Sequence, residues 1–299
     1  MGMRRLWLVL FALAALAPAV EARAQGRGQA LDCTADELEW GGPALANRQS
    51  HRTLEWVPFG PVEYGWEVYL PLIQRELGAD CAPESAVFAH RLAEFQYANG
   101  LPATGWFDAA TFQVFKGRWQ ERRPFVMSRV RGDPCPDPPP LYQLAYLQEG
   151  EEQANRLTRL LRRDVLDAWR AMRDAARAEV WEARQNPEIL QIFSGFRDPE
   201  ADALRCAETG ACDGLRRAVC SAHRTGTAVD LYVGQVSGLG VDNTSQASRL
   251  HMSRTPTYRW LVKNAHRFGF TPYVYEPWHW EWISPTGGYV GPPPETAAP

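Results

Sequence analysis

The sequence predicts an α+β protein with a small N-terminal three-helix domain and a C-terminal α+β domain built on a central antiparallel sheet. Apolar residues recur at helical spacing over residues 66–119 and again over residues 153–185, which predicts packed helices. Over residues 278–282, tryptophans alternate with polar residues, as they do in a strand that buries one face. The proline-rich residues 131–145 predict an extended linker between the two parts.

The first 24 residues are expected to be a signal peptide. Arg4 and Arg5 precede an apolar run, and a small-x-small cleavage pattern ends at Ala24, so the mature chain is expected to begin at Gln25. The apolar run is short for a membrane span, and no later segment suits one. We therefore expect an exported protein without membrane insertion; the favoured location is the periplasm, and the alternative is secretion. The net charge of -3 gives no electrostatic reason to expect nucleic-acid binding.

All cysteines lie in the predicted mature chain: Cys33, Cys81, Cys135, Cys206, Cys212 and Cys220. An even number in an exported protein favours disulfides, but the pairing stays open. Proximity suggests one bridge inside residues 206–220, and the third cysteine of that segment then pairs elsewhere. The alternative is a structural zinc cluster made by those three cysteines, although they lack the usual C-x-x-C spacing.

The N-terminal half divides into two segments. Residues 25–59 are polar, with few periodic apolar runs, and are expected to be irregular. Residues 60–130 carry three helical patterns, and Asp108 is well placed to cap the third. Within them, FQYANGLPATGWFDAAT at residues 95–111 resembles the second half of a small three-helix peptidoglycan-binding repeat domain. That resemblance implies a cell-wall-binding module. The alternative is a helical cap that only packs on the second domain.

The second half of the sequence contains a candidate catalytic domain and a tail. Cys135 is expected to pin the linker to one of the domains. Residues 146–286 are expected to form the C-terminal domain, which begins with one long helix over residues 153–185. Strands are expected near residues 189–193 and 273–283. Residues 287–299 are glycine- and proline-rich and are expected to be a disordered tail.

Two short stretches carry the chemistry of the second half. SAHRTGTAVD, residues 221–230, contains His223 and Asp230, and EPWH, residues 276–279, contains His279. Imidazole nitrogens and a carboxylate oxygen are accepted zinc ligands, and three of them leave a fourth position for water. These three residues are therefore candidate ligands of Zn²⁺.

Strand alternation near the C-terminus predicts which side chains share a face. His279 and Glu281 should face the cleft, while the intervening tryptophans fill the core. Glu276 has the wrong parity for that face, but Pro277 cannot donate a ladder hydrogen bond, so a bend there could turn Glu276 towards the metal. Glu276 would then act on the metal's water.

Together these residues carry a second resemblance. Ser-x-His-x-x-Gly-x-Ala-x-Asp followed by Glu-Pro-Trp-His-Trp resembles the D-alanyl-D-alanine carboxypeptidases of the VanY type, over about residues 155–285. Further matches are SGFR at residues 194–197 and WLVKNAHRFGF at residues 260–270. The resemblance implies roles for five residues: zinc ligation by His223, Asp230 and His279, general base and acid catalysis by Glu276, and oxyanion stabilisation by Arg197.

Several residues keep more than one interpretation. Ser221 is expected to contact the substrate or to support a ligand. The alternative for Arg197 is a surface ion pair with Asp198 or Glu200. Glu281 departs from the basic or neutral residue expected in relatives, and its carboxylate could bind a substrate amine.

We therefore expect an exported, two-domain, zinc-dependent peptidase that hydrolyses the stem peptides of peptidoglycan. The favoured activity is that of a D-Ala-D-Ala carboxypeptidase. The alternatives are a peptidoglycan endopeptidase of the same fold and a non-catalytic cell-wall-binding protein. A peptidase of the His-Glu-x-x-His type lacks support because that motif is absent from the sequence.

Overall fold

The computed structural model describes residues 32–34, 38–153, 160–209 and 220–284, which belong to one compact unit that begins at Asp32. The predicted signal peptide and the predicted tail lie outside these residues. Within the described ranges, no helix is long and apolar enough to cross a bilayer.

The N-terminal part is helical, with one short hairpin. Its elements are α1 (Gly41–Thr53), β1 (Glu55–Trp56), β2 (Glu63–Tyr64), α2 (Leu70–Leu77), α3 (Ala86–Ala98), α4 (Ala109–Glu121) and α5 (Pro124–Val130). The expectation that residues 25–59 are irregular is therefore wrong for α1. This helix buries only three of its residues, so it has no long apolar stripe to predict it.

Tertiary contacts hold α1 in place. The Asn47 side chain donates to the Gly105 carbonyl oxygen and accepts from the Phe107 backbone N–H, each at 2.8 Å. The expected cap of α4 is present, since Asp108 accepts from the Thr111 N–H at 2.7 Å.

The C-terminal part is a small sheet surrounded by helices. Its elements are β3 (Leu144–Tyr146), β4 (Leu160–Arg162), α6 (Arg163–Glu179), α7 (Trp181–Gln185), β5 (Ile192–Ser194), α8 (Pro199–Thr209), β6 (Ala228–Leu231), α9 (Gln246–Arg254), α10 (Pro256–Asn264), β7 (Phe270–Pro272) and β8 (His279–Trp282). The central sheet has the order β5-β6-β8-β7, and every pairing is antiparallel. The predicted α+β class with a central antiparallel sheet is confirmed.

The expected elements differ in length from those observed. The long helix predicted over residues 153–185 begins at Arg163 instead, because the preceding residues pair with β3 as strand β4. It ends at Glu179, and Val180 adopts an extended conformation before α7. The C-terminal strand begins only at His279, after a turn at Pro277.

Two disulfides are described in full. Cys33 is bonded to Cys81, and Cys135 is bonded to Cys220. The second bond pins the predicted linker to the C-terminal domain, as expected, and it rules out the cysteine zinc cluster because it takes one of the three thiols. Cys206 is also disulfide-bonded, and Cys212 lies outside the described residues.

The N-terminal part, from α1 to α5, is called the helical part below. It packs directly on the C-terminal part through a buried polar cluster. Arg249 of α9 is paired with Glu63 of β2, and both are about as buried as core residues. The Tyr69 hydroxyl donates to Glu63 at 2.8 Å and accepts from Arg249 at 3.0 Å. The division into separate domains stays a prediction, but the described residues of both parts share one core.

A second buried ion cluster gives a test of stability against pH. Glu151 accepts from Arg170 at 2.8 Å through both carboxylate oxygens and from Arg173 at 3.2 Å. Burial opposes ionisation, but these contacts hold the pKa of Glu151 below its ordinary value. A carboxyl of this kind stabilises the fold above its unfolded-state pKa of 4.5, and that stability is lost as the pH falls through the lower folded-state pKa.

We expect Glu151→Gln to lower the free energy of unfolding by about 1–3 kcal/mol at pH 7. The difference from the unsubstituted protein should begin to shrink as the pH falls below the unfolded-state pKa of 4.5, and it should vanish once the pH is below the lower folded-state pKa of Glu151. Urea unfolding between pH 3 and pH 7 measures this, with exposed Glu149→Gln as the control. If the free energies of unfolding of Glu151→Gln and the unsubstituted protein differed by the same amount at every pH, the expectation would be contradicted.

Candidate metal centre

Three elements bring the candidate ligands together. His223 lies in a 3-10 turn, Ala222–Thr225, which leads into β6. Asp230 lies in β6 and His279 is the first residue of β8, and the two are direct partners in the antiparallel register. All three side chains are buried. The pairing of β6 with β8 therefore joins residues that are far apart in the chain.

The ligand atoms converge at a spacing that suits zinc. His223 Nε2 lies 3.2 Å from His279 Nδ1 and 3.3 Å from Asp230 Oδ1, and His279 Nδ1 lies 2.9 Å from that same oxygen. Ligands held tetrahedrally at about 2.0–2.1 Å from zinc are themselves about 3.3 Å apart. Two imidazole nitrogens and one carboxylate oxygen at these distances fit Zn²⁺.

Each histidine ring is oriented by its other nitrogen. His223 Nδ1 lies 2.7 Å from the Gly195 carbonyl oxygen, and His279 Nε2 lies 3.2 Å from Glu281 Oε1. Since both partners can only accept, each of these ring nitrogens carries the proton and the opposite nitrogen is left for a metal. Ring orientation by an acceptor of this kind is typical of metal-binding histidines.

Charge is distributed unevenly over the ligands. Burial opposes ionisation of Asp230, but both histidines hold its pKa well below the ordinary value. Burial and the charge of Arg197 lower the pKa of His223. Burial also disfavours protonation of His279, but its hydrogen bonds to Asp230 and Glu281 outweigh this and raise its pKa to about 9. A cation bound here would displace that proton, because a ligating ring is neutral.

Glu276 lies in the turn before β8. The His279 N–H donates to the Glu276 carbonyl oxygen at 2.9 Å, which closes the turn three residues before the ligand. The bend expected at Pro277 is present, so strand parity does not apply to Glu276. Burial and the charge of Asp230 raise its pKa above the ordinary value for a carboxyl. A raised pKa suits a group that takes up and returns a proton near neutral pH.

Arg197 follows β5 and faces the same cluster. Its Nε donates to Ser194 Oγ at 3.1 Å and its Nη2 donates to Asp230 Oδ2 at 3.2 Å. The ion pair expected as an alternative, with Asp198 or Glu200, is not formed among the described residues; the partner is Asp230. Within the same residues Nη1 has no hydrogen-bond partner, and 31% of the side chain is exposed. Donors therefore remain for a substrate oxygen.

Ser221 and Glu281 are placed as supports of the ligands. Ser221 Oγ accepts from the His223 N–H at 3.3 Å and caps the turn that carries this ligand. Glu281 is 2% exposed, and the same carboxylate oxygen that meets His279 accepts from Arg123 at 2.5 Å. Burial would raise the pKa of Glu281, but Arg123 and His279 lower it to about 2. These contacts favour a positioning role over the binding of a substrate amine.

Two residues at the site have roles that the sequence does not predict. Gly195 acts through its carbonyl oxygen, which any residue would supply, so its side-chain type carries no signal. Arg123 lies in the helical part, 158 positions before Glu281. The sequence predicts a wall-binding module for residues 60–130, and no local motif marks Arg123 as part of a metal site.

The family comparison concerns the segment that carries the candidate ligands. Residues 158–285 match the model of the VanY family, D-alanyl-D-alanine carboxypeptidase. This segment is a VanY-type domain. The match includes every candidate ligand, Glu276 and Arg197, and it confirms the resemblance seen in the motifs. No curated protein matches the chain.

Three solved structures are distantly similar to the chain. The LdcB LD-carboxypeptidase has 24% identity and a TM-score of 0.35, covering 49% of this chain and 70% of its own. A VanY D,D-pentapeptidase variant from a VanB-type resistance cassette, in complex with Zn(II), has 20% identity and a TM-score of 0.28, covering 50% and 84%. VanYB in complex with D-alanine-D-alanine has 22% identity and a TM-score of 0.29, covering 50% and 83%.

Gly226 gives a test of how the VanY-type domain holds His223. It ends the turn with φ of 68°, and an added Cβ would lie 3.3 Å from Arg162 Cγ and from Leu144 Cδ2. We expect Gly226→Ala to lower the free energy of unfolding by about 1–2 kcal/mol and to weaken zinc binding. Denaturant unfolding and chelator competition measure the two effects.

Gly132→Ala is the matched control. Its φ is 82°, but an added Cβ there meets nothing within 4 Å, and it lies outside the VanY-type domain. It should lose stability and keep the zinc affinity. Equal zinc affinities in the two variants would show that the Gly226 turn does not position the ligand.

Proposed function

We propose that this protein is a zinc-dependent peptidase that hydrolyses the stem peptides of peptidoglycan, and that it acts as a D-Ala-D-Ala carboxypeptidase. The observation that carries the proposal is the convergence of His223, Asp230 and His279, each ring oriented by a separate acceptor. The VanY match over the same residues supports the reaction class. The disulfides support export, since such bonds form and persist in oxidising compartments.

The proposed reaction needs an activated water, which is the task of the metal, and a proton carrier, which is the task of Glu276. Held by the three ligands, a zinc ion would supply a water of lowered pKa and positive charge to polarise the carbonyl group of the substrate. Glu276 accepts a proton as the nucleophile forms and returns it to the leaving amine. Its raised pKa reduces the free-energy cost of holding that proton between the two steps.

Arg197 provides fixed positive charge at the same place. Its contacts with Ser194 and Asp230 hold the guanidinium in one orientation before substrate arrives. The N–H groups that remain can donate to the carbonyl oxygen of the substrate, where negative charge develops. Donors already in position stabilise that charge without a reorganisation cost.

The test uses the purified mature chain, loaded with zinc, on intact peptidoglycan and on a soluble pentapeptide that ends in D-Ala-D-Ala. Products are identified by mass, and Glu276→Ala is the inactive control. Release of single D-alanine by the unsubstituted protein alone is the expected result.

Other products would redirect the proposal. Larger stem fragments, or cleavage of cross-linked wall only, would indicate an endopeptidase of the same fold. Zinc binding without any product would favour the non-catalytic wall-binding alternative. A protein that binds no zinc would contradict the proposed function altogether.

A further inference from the structure

Arg123 is a buried cation that the helical part places against the metal centre. It immediately precedes α5 and is 7% exposed. Its Nε and Nη2 both donate to Glu281 Oε1, at 3.1 and 2.5 Å. Its Nη1 donates to Gln120 at 2.7 Å, and the guanidinium lies 4.1 Å from the ring centroid of Tyr273. The cation is therefore held on three sides.

Glu281 passes this constraint on to a candidate zinc ligand. The oxygen that accepts from Arg123 also lies 3.2 Å from His279 Nε2. A ring held through Nε2 turns Nδ1 towards Asp230 and His223, where the three ligand atoms meet. Arg123 and His279 thus bind one carboxylate oxygen from opposite parts of the chain.

The helical part makes a second contact near the site. Tyr275 directly precedes Glu276, and its ring packs against Phe59, with 4.9 Å between centroids. Arg249, which is paired with Glu63 of the helical part, lies 4.5 Å from the ring centroid of Tyr275. The loop that carries the candidate base is therefore packed against the helical part at Tyr273 and at Tyr275.

We propose that Arg123 is a positioning residue of the zinc site, acting through Glu281 to hold the ring of His279, so that the helical part completes the peptidase site. The proposal rests on the proposed zinc function. It gives the helical part a role in catalysis in addition to any role in wall binding. Outer partners of metal ligands typically contribute 10- to 100-fold to metal affinity or activity.

The test compares Arg123→Gln with Arg122→Gln in the full mature chain. Arg122 is the adjacent residue, of the same type, but its side chain is 46% exposed and its ion pair is with Glu76 of α2, within the helical part. Zinc affinity is measured by chelator competition, and ligand geometry by the visible absorption of the Co²⁺-substituted protein. Neither readout needs substrate. Thermal unfolding in chelator reports whether each variant folds.

We expect Arg123→Gln to weaken zinc binding 10- to 100-fold and to change the Co²⁺ spectrum, while Arg122→Gln changes neither. Glu281→Gln should behave like Arg123→Gln. The double variant should lose no more affinity than the worse single variant, because both substitutions interrupt one path. If Arg123→Gln does not fold, Arg123→Lys carries the test, since it keeps the charge and loses the paired donors; it should weaken zinc binding and change the Co²⁺ spectrum.

Zinc affinity and a Co²⁺ spectrum that match the unsubstituted protein in a folded Arg123 variant would overturn the proposal. That result would leave the proposed function intact, since the unsubstituted protein would still bind zinc. A protein without zinc affinity would overturn both.

Discussion

Replacing Glu276 by glutamine should lower kcat on a D-Ala-D-Ala peptide by about 10²- to 10⁴-fold and leave zinc bound. The amide keeps the size and polarity of the side chain but cannot take up a proton. General acid–base catalysis by one side chain contributes an effect of that size. Glu276 is also outside the group of ligand atoms that converge, so the metal should remain. Steady-state kinetics and metal analysis of the same sample measure both quantities.

The matched control is Glu188→Gln, since Glu188 is exposed and lies after α7, in the same domain. It should keep both activity and zinc. A Glu276→Gln protein that retains most of its activity would remove Glu276 from the mechanism. A variant that loses zinc instead would make Glu276 a ligand, and the assignment of the three ligands would have to be revised.

Replacing His223 by alanine should abolish zinc binding at micromolar concentration, and activity with it. The substitution removes one of three ligands and leaves Asp230, a buried carboxylate, with one imidazole fewer. Zinc that binds only the folded state adds about 4 kcal/mol of stability at 1,000 times its Kd. The unsubstituted protein should therefore unfold at a higher temperature with zinc than with chelator, and His223→Ala should not respond to zinc.

Calorimetry with and without zinc measures this response. His266→Ala is the control, because His266 is exposed and lies in the 3-10 turn after α10. It should show the same zinc-dependent shift as the unsubstituted protein. A zinc-dependent shift that survives in His223→Ala would place the metal elsewhere in the molecule.

Much of the candidate site is visible in the sequence because its residues lie in two short motifs. His223 and Asp230 flank a turn and a strand, and His279 lies beside Glu276, so local spacing already indicates the ligand types. The direct pairing of Asp230 with His279 is not visible in this way. It depends on β6 and β8 lying side by side, and the strand order of a sheet is set by the packing of the whole domain.

The helical part shows where local reasoning stops. Helix α1 has few buried residues, and it is held by Asn47, whose partners lie beyond α3. A helix that is stabilised by tertiary hydrogen bonds leaves no apolar period in the sequence. Similarly, Leu160–Arg162 continues a helical pattern, but pairing with β3 makes it a strand.

Residue identity and short spacing are enough to predict the α+β class, the ligand types, the candidate base and the disulfide chemistry. The pairing of Arg123 with Glu281 and of Arg197 with Asp230 depends instead on how the chain folds. The same holds for the bond between Cys135 and Cys220. These contacts join residues far apart in the chain, so local spacing does not predict them. A buried charge requires a partner, and only the folded chain determines which partner is within reach.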